Sequence, residues 1–205
     1  MEISLENIGR RFNREWIFRG ISRSSTAGNS YAVLGPNGSG KSTLLQILAG
    51  SLTPSEGSIS HILNGQPADP EGVFRSVSIA APYLELIEEF TLAEIIRFHF
   101  SFKNPAANVA AGELIARMEL EKARNKQLKY FSSGMKQRVK LALAICSDSP
   151  VLILDEPASN LDHKAVDWYL RLISDFTRDR IVLVGSNQEY EYAFCSHQLR
   201  ITDYK

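Results

Sequence analysis

Four short, largely apolar runs recur along the chain, at residues 31–34, 77–80, 151–154 and 181–184. Each is too short for a helix and apolar at consecutive positions. A strand with both faces buried has that pattern, and it predicts a mostly parallel sheet covered by helices on both faces. The first segment is patterned differently. Ile3 and Leu5, and later Ile59 and Ile62, alternate with polar residues, and Asn64-Gly65 is a turn signal. These features predict antiparallel strands along one side of the sheet. From residue 91 to 124 the strand-like runs give way to a helical pattern, in which Leu92, Ile95, Ile96, Phe98 and Phe102 form an apolar stripe. A second helix is expected over 133–147, because Val139, Ala142, Leu143 and Cys146 fall on one face and Pro150 follows. The whole reads as one α/β domain. Its core covers about 1–82 and 148–205, and a helical subdomain is inserted at about 83–147.

The candidate chemistry begins where the first central strand ends. Gly35, Pro36, Asn37, Gly38, Ser39, Gly40, Lys41, Ser42 and Thr43 fit the pattern G-x-x-x-x-G-K-[ST], placed between a strand and a helix starting near Lys41. Glycines let successive backbone N–H groups turn inward, and the helix adds its positive end, so the loop is an anion site. Lys41 is placed to reach the β- and γ-phosphates of ATP. The Ser42 hydroxyl is placed to ligate Mg²⁺, which takes hard oxygen donors. The run at 151–154 ends in two carboxylates, Asp155 and Glu156. Asp155 can hold Mg²⁺ through its water shell, while Glu156 can orient or deprotonate the water that attacks the γ-phosphate. The fold class is therefore a P-loop NTPase core with an antiparallel β edge and an inserted helical subdomain.

Composition narrows the class further. Across 205 residues, Lys plus Arg and Asp plus Glu total 23 each, so no net field favours direct nucleic-acid binding. Cys146 and Cys195 lack metal-ligand spacing and read as reduced, buried thiols. His61, His99, His163 and His197 stand apart from the motifs and read as surface or packing residues. No stretch approaches about 20 consecutive apolar residues, and the start has no leader pattern, so a cytoplasmic chain is expected.

The segment Phe131-Ser132-Ser133-Gly134-Met135-Lys136-Gln137-Arg138 resembles the signature motif of ABC ATPases, whose usual form is Leu-Ser-Gly-Gly-Gln. Phe131, Ser133 and Met135 depart from that form. The order of motifs extends the resemblance over nearly the whole chain. It implies that Ser132, Ser133 and Gly134 form a second anion site for the nucleotide of a partner subunit. Two copies, or this chain and a related subunit, would then sandwich two ATP molecules head to tail. Ser-Gly helix capping is the alternative reading of the same residues. The stretch ending in Asp162 resembles the D-loop, which places Asp162 at the dimer interface or, alternatively, as a helix cap.

Phe12 stands where the family usually carries an adenine-stacking tyrosine; a buried structural Phe is the alternative, with Trp16 in reserve. Two expected residues are missing. Pro82 occupies the place of the Q-loop glutamine, with Glu85 the nearby acid, and Ser186 is aligned with the switch histidine. The resemblance thus implies an ATPase with slow turnover. It also implies a separate transmembrane permease that docks near residues 91–102 and holds the subunit at the cytoplasmic face of the membrane. An exporter is suggested by the signature. The other readings are a soluble ABC-type ATPase and a slowly hydrolysing nucleotide-dependent regulator.

Overall fold

All four apolar runs are strands of one parallel sheet. The computed structural model describes residues 1–107 and 109–205. Its elements are β1 (Glu2–Phe12), β2 (Glu15–Thr26), β3 (Ser30–Leu34), α1 (Lys41–Leu48), β4 (Glu56–Leu63), β5 (Gln66–Pro67), α2 (Val73–Ser76) and β6 (Val77–Ala80), followed by α3 (Leu92–His99), α4 (Ala111–Arg117) and α5 (Ser133–Ile145). The chain closes with β7 (Val151–Asp155), α6 (His163–Phe176), β8 (Ile181–Ser186), α7 (Glu189–Tyr192) and β9 (His197–Arg200). The parallel sheet has the order β6-β7-β8-β3-β9. This order positions the site: β8 lies between β3 and β7, so the loop after β3 and the carboxylates at the end of β7 flank the end of β8. Ligands of open α/β sheets bind at such carboxyl edges.

Alternation along the central strands builds two cores. Leu152, Leu154, Val182 and Val184 pack towards α5, α6 and the helical insertion. Their neighbours Val151, Ile153, Ile181 and Leu183 pack against α1 and against Ile3, Ile8, Phe18 and Ile21. These last four belong to the antiparallel strands, which form a sheet of their own, ordered β2-β1-β4-β5, instead of edge strands on the parallel sheet.

The insertion starts with a reciprocal cap. The Thr91 hydroxyl accepts from the Glu94 amide at 3.3 Å, and the Glu94 carboxylate accepts from the Thr91 amide at 2.8 Å. The apolar stripe expected here is split. Leu92, Ile95 and Ile96 are buried, whereas Phe98 is 42% exposed and Phe102, beyond the end of α3, is 74% exposed. Helix α5 ends at Ile145 with Cys146 as its C-cap, two residues short of the expected end. Both cysteine thiols are pushed up to about 12 by burial, which keeps them unreactive.

His99 lies partly buried at the end of α3, its Nε2 2.8 Å from the Ser147 hydroxyl. Burial first, and then Lys103, lower its pKa to about 4. The unfolded chain takes up this proton near pH 6.5 and the folded chain only near 4. Between those values the unfolded state binds more protons, so stability falls as the pH drops. At about 1.4 kcal/mol per pKa unit, the loss between pH 7 and 5 is on the order of 2 kcal/mol. Urea denaturation at the two pH values should show a smaller acid loss for His99→Gln than for the unaltered chain.

Candidate nucleotide site

The loop at 35–40 leaves β3 and enters α1 through Gly40, the helix N-cap, at φ 108°. A Cβ there would lie 2.5 Å from Ile17 Cγ2 in β2, so only glycine lets the loop pass this close to the antiparallel sheet. The first amides of α1 point at the loop without intrahelical partners and carry the positive end of the helix. Lys41 is buried; its ammonium arches back over the loop and donates to the carbonyls of Gly35 at 2.9 Å and Pro36 at 3.3 Å. The Ser39 hydroxyl is buried beside it without a hydrogen-bond partner.

Asp155 ends β7 only 1% exposed, and neither carboxylate oxygen has a hydrogen bond within the chain. Burial pushes its pKa up, the Ser42 hydroxyl opposite pulls it down, Glu156 raises it again and Lys41 opposes. Ser42 therefore faces the carboxylate closely enough to act on it but outside good hydrogen-bond geometry. A buried carboxylate left in this state is costly. A hard divalent cation between Asp155 and Ser42, completed by phosphate and water oxygens, would satisfy it, so these residues fit Mg²⁺. Gly185 on β8 keeps the space clear, since a Cβ there would meet Asp155 Oδ1 at 2.9 Å and Leu45 Cδ1 at 2.7 Å.

Glu156 is the first residue past the strand. Its N–H donates to the Gly185 carbonyl at 2.8 Å, and its φ of 46° is left-handed. Such a conformation costs a non-glycine residue about 1–2 kcal/mol. The surrounding structure sustains it, and the chain turns sharply away from the sheet edge beside Asp155.

Ser186, the residue aligned with the switch histidine, is directed away from the phosphate loop. It is the last residue of β8 and fully buried; its hydroxyl hydrogen-bonds the Glu191 carboxylate and accepts from the Gln188 amide at 2.8 Å. The next residue leaves the sheet and reaches the loop: the Asn187 amide donates to Asn37 Oδ1 at 3.5 Å. The group after β8 that faces the phosphate loop is thus Asn187. A shift of one residue at the strand end separates the two readings, since one side chain continues the sheet and the next turns out of it.

Hairpin register puts Phe12 and Trp16 on opposite faces. Arg11 pairs with Trp16 and Phe12 with Glu15, so Phe12 shares a face with Ile17, the residue that touches Gly40. Phe12 is 47% exposed, and the Arg10 guanidinium lies 4.6 Å from its ring centroid. Trp16 faces the other way, packed against Gly9 and covered by Arg19 at 4.2 Å. Ile17 packs against the phosphate loop at Gly40, a contact that the motifs do not show. Its alternation with Trp16 was the available signal.

The loop after β6 places Tyr83 and Glu85 on different sides. Tyr83 turns its hydroxyl to the Gln46 side chain, and its pKa is raised first by burial and also by Asp155, which places the phenol on the Asp155 side of the site. Glu85 instead faces Lys140 on α5. Ser132 caps α5, accepting from the Met135 amide at 3.2 Å, and Ser132 and Ser133 are exposed. Ser133 lines a cavity of about 280 Å³ with Pro82, Glu85, Lys136, Lys140 and Asn160, and no residue of the phosphate loop lines it. The cavity at Ser133 and the phosphate loop are therefore separate features of the chain. Asp162 is exposed and caps α6 by accepting from the Ala165 amide at 2.8 Å.

Removal of the Phe12 ring has a defined expected effect. If the base stacks there, Phe12→Ala should weaken adenine-nucleotide binding by about 1–3 kcal/mol, while Trp16→Ala should leave it nearly unchanged. Titration with a fluorescent ATP analogue measures both.

Comparison with known proteins agrees with this geometry. The sequence model of the family described as ABC transporter matches residues 18–159. The chain is 32% identical over 190 residues to the Nod factor export ATP-binding protein I of Burkholderia lata, which covers 90% of this chain and 62% of that protein. It is 33% identical over 196 residues to the sulfate/thiosulfate import ATP-binding protein CysA of a Synechocystis species, covering 92% and 55%. The chain thus spans less than two thirds of the length of these relatives. Among solved structures, a putative ABC transporter ATP-binding protein from Pyrococcus furiosus superposes with a TM-score of 0.82 at 22% identity, over 100% of both chains. A dimeric ATP-binding cassette in a post-hydrolysis state, with ADP and phosphate bound, gives 0.83 at 22% identity over 97% of this chain and 93% of that one. The matched stretch runs from the strand that flanks Gly40, through the phosphate loop and the signature segment, to the loop beyond Glu156, and on that extent this chain belongs to the ABC transporter family.

Proposed function

We propose that this chain binds ATP with Mg²⁺ and hydrolyses it as the ATPase subunit of an ABC transporter. The carrying observation is Asp155, buried with both oxygens unpaired, facing Ser42 beside Glu156 at the edge where the phosphate loop ends. Loop amides and Lys41 bind the β- and γ-phosphates, with Phe12 and Ile17 under the base. Asp155 and Ser42 would hold Mg²⁺, which when bound neutralises charge on the phosphate oxygens. Glu156 accepts the proton of the attacking water, and Asn187 supplies a neutral hydrogen-bond donor on the γ-phosphate side. An amide does not titrate as histidine does, and Pro82 stands where a glutamine was expected, so turnover is slow.

Ser132, Ser133 and Gly134 serve the nucleotide of a second subunit, with Asp162 at the same interface, because this chain's own loop lies elsewhere. The proposed domain is a core at about 1–82 and 148–205 with a helical insertion at about 83–147. No helix among the described residues is long and apolar enough to cross a membrane. The names of the relatives, export and import ATP-binding proteins, support a separate membrane subunit that handles the solute. Its dock is the aromatic face of the insertion, where Phe98 stands edge-on to both Phe90 at 5.4 Å and Phe102 at 5.2 Å. The relatives include an export and an import subunit, so the exporter direction is not carried forward.

The test is phosphate release by the purified chain, which should require Mg²⁺ and stop with EDTA. Nucleotide binding without any release would replace the ATPase by a nucleotide-dependent regulator. For the dock, Phe102→Glu should keep ATP hydrolysis by the isolated chain and abolish its recovery with solubilised membranes.

A further inference from the structure

One buried carboxylate has no part in nucleotide binding or hydrolysis as proposed. Glu191, on α7, is 2% exposed, and among the described residues no lysine or arginine hydrogen-bonds or pairs with its carboxylate. One of its oxygens accepts the backbone N–H of Ala158 at 2.7 Å, and the other takes the Ser186 hydroxyl. Its own backbone is fixed as well: the carbonyl accepts from the Tyr169 hydroxyl at 3.0 Å, and Tyr169 is fully buried in α6. Glu191 therefore joins the end of β8 to the loop that leads away from Glu156.

That loop is held from a second direction. The buried Gln137 side chain, one turn into α5, donates to the Pro157 carbonyl at 2.7 Å. A Cβ on Gly134 would lie 3.0 Å from the Asn160 carbonyl, so the start of α5 packs directly on the same loop. The two residues after Glu156 are thus each anchored by one side-chain hydrogen bond, Pro157 to the signature helix and Ala158 to the switch segment. Glu156 itself has a left-handed φ and stands one residue beyond the strand. Its N–H is fixed by sheet geometry through Gly185, whereas Pro157 and Ala158 lie outside the sheet, in a turn closed by the Ser159 N–H to the Glu156 carbonyl at 3.1 Å and the Leu161 N–H to the Ala158 carbonyl at 3.0 Å; the two anchors tie this turn to the rest of the fold.

We infer that Glu191 and Gln137 are positioning residues for Glu156, acting through the loop at 157–160 as a two-point clamp. The inference rests on the proposed ATPase activity. It gives the clamp a consequence: the loop that aims Glu156 is tied to the segment offered to the partner's nucleotide and to the segment carrying Asn187. Displacement of either anchor moves the base relative to the attacking water. Misplacement by about 1 Å is enough for a loss of about a hundredfold. Nucleotide binding uses other residues and should not change.

The conservative variant separates positioning from bulk stability. In Glu191→Gln the amide oxygen can still accept from Ala158 and the amide nitrogen can donate to the Ser186 oxygen, so the clamp survives without the charge. Glu191→Ala loses both bonds. Gln137→Leu removes the second anchor and keeps the apolar volume.

Steady-state ATP hydrolysis should be measured on the purified full chain for these three variants, with Glu156→Gln as the zero and thermal melts as a folding control. Glu191→Ala and Gln137→Leu are expected to lower kcat by about ten- to a hundredfold with KM within about twofold. Glu191→Gln should recover to within about threefold of the unaltered chain. Unchanged kcat in folded Glu191→Ala would overturn the clamp. So would equal loss in Glu191→Gln and Glu191→Ala, which would assign the effect to charge. If Glu191→Ala does not fold, Gln137→Leu decides on the same criterion. If the unaltered chain releases no more phosphate than Glu156→Gln, the ATPase reading falls and takes the clamp with it; an active chain with indifferent variants removes the clamp alone.

Discussion

Glu156→Gln is expected to cut ATP hydrolysis by at least about a hundredfold while leaving ATP affinity within about a factor of two. The magnitude comes from the role: general-base assistance contributes about 10²–10⁴-fold, and an amide of the same shape cannot accept the proton. Affinity persists because the residues placed at the phosphates and the base are Lys41, the loop amides, Ser42 and Phe12. The same substitution should trap the ATP-bound dimer, since the step that discharges it is blocked. Size-exclusion chromatography with Mg²⁺ and ATP should then show a dimer for the variant that the unaltered chain forms only transiently. Full hydrolysis by Glu156→Gln would require another base. Among the described residues none has comparable placement: Asp155 is the proposed cation ligand, and Glu191 is locked between Ala158 and Ser186.

The parts of this site that could be read from sequence share one property: their chemistry and geometry are both local. Gly35 to Thr43 are contiguous, and the strand before and the helix after define how the loop curls. Asp155 and Glu156 were legible because an apolar run that ends in acids must present them at a sheet edge. The illegible parts depend on distant partners or on single-residue parity. Ser186 and Asn187 differ by one position at a strand end, and what distinguishes them is the bond from Asn187 to Asn37 and the burial of Ser186 against Glu191. Phe12 and Trp16 lie on opposite faces of a hairpin whose register is fixed by pairing, not by composition.

Phe98 and Phe102 fit a buried helical stripe by spacing, yet Phe98 sits on α3 with its ring partly exposed and Phe102 lies beyond the helix end at His99. Glu191 gave no local signal at all, because a buried acid looks like any surface acid until Ala158, 33 positions away, is brought beside it. The fold class needed only periodicity. The strand order, with β3 between β8 and β9, needed the structure.

Complementation between two inactive variants tests whether the site is shared between subunits. Lys41→Ala removes the charge that meets the β- and γ-phosphates and should reduce hydrolysis to background. Ser133→Glu places a carboxylate at an exposed first-turn position of α5, where the helix end tolerates or favours an acid, so folding is preserved. The same carboxylate would repel the phosphates of a nucleotide held by the other subunit, and this variant should also be inactive. In a mixed dimer, the intact loop of the Ser133→Glu chain faces the intact signature of the Lys41→Ala chain, and the opposite site carries both lesions. Random pairing makes about half the dimers mixed, each with one of two sites whole, so an equimolar mixture should regain about a quarter of the unaltered rate. Equal mixing with no recovery would mean that each chain completes its own site. That result is hard to reconcile with the cavity at Ser133, which contains no phosphate-loop residue. Recovery near a quarter would establish that Lys41 and Ser133 act on one nucleotide from different chains.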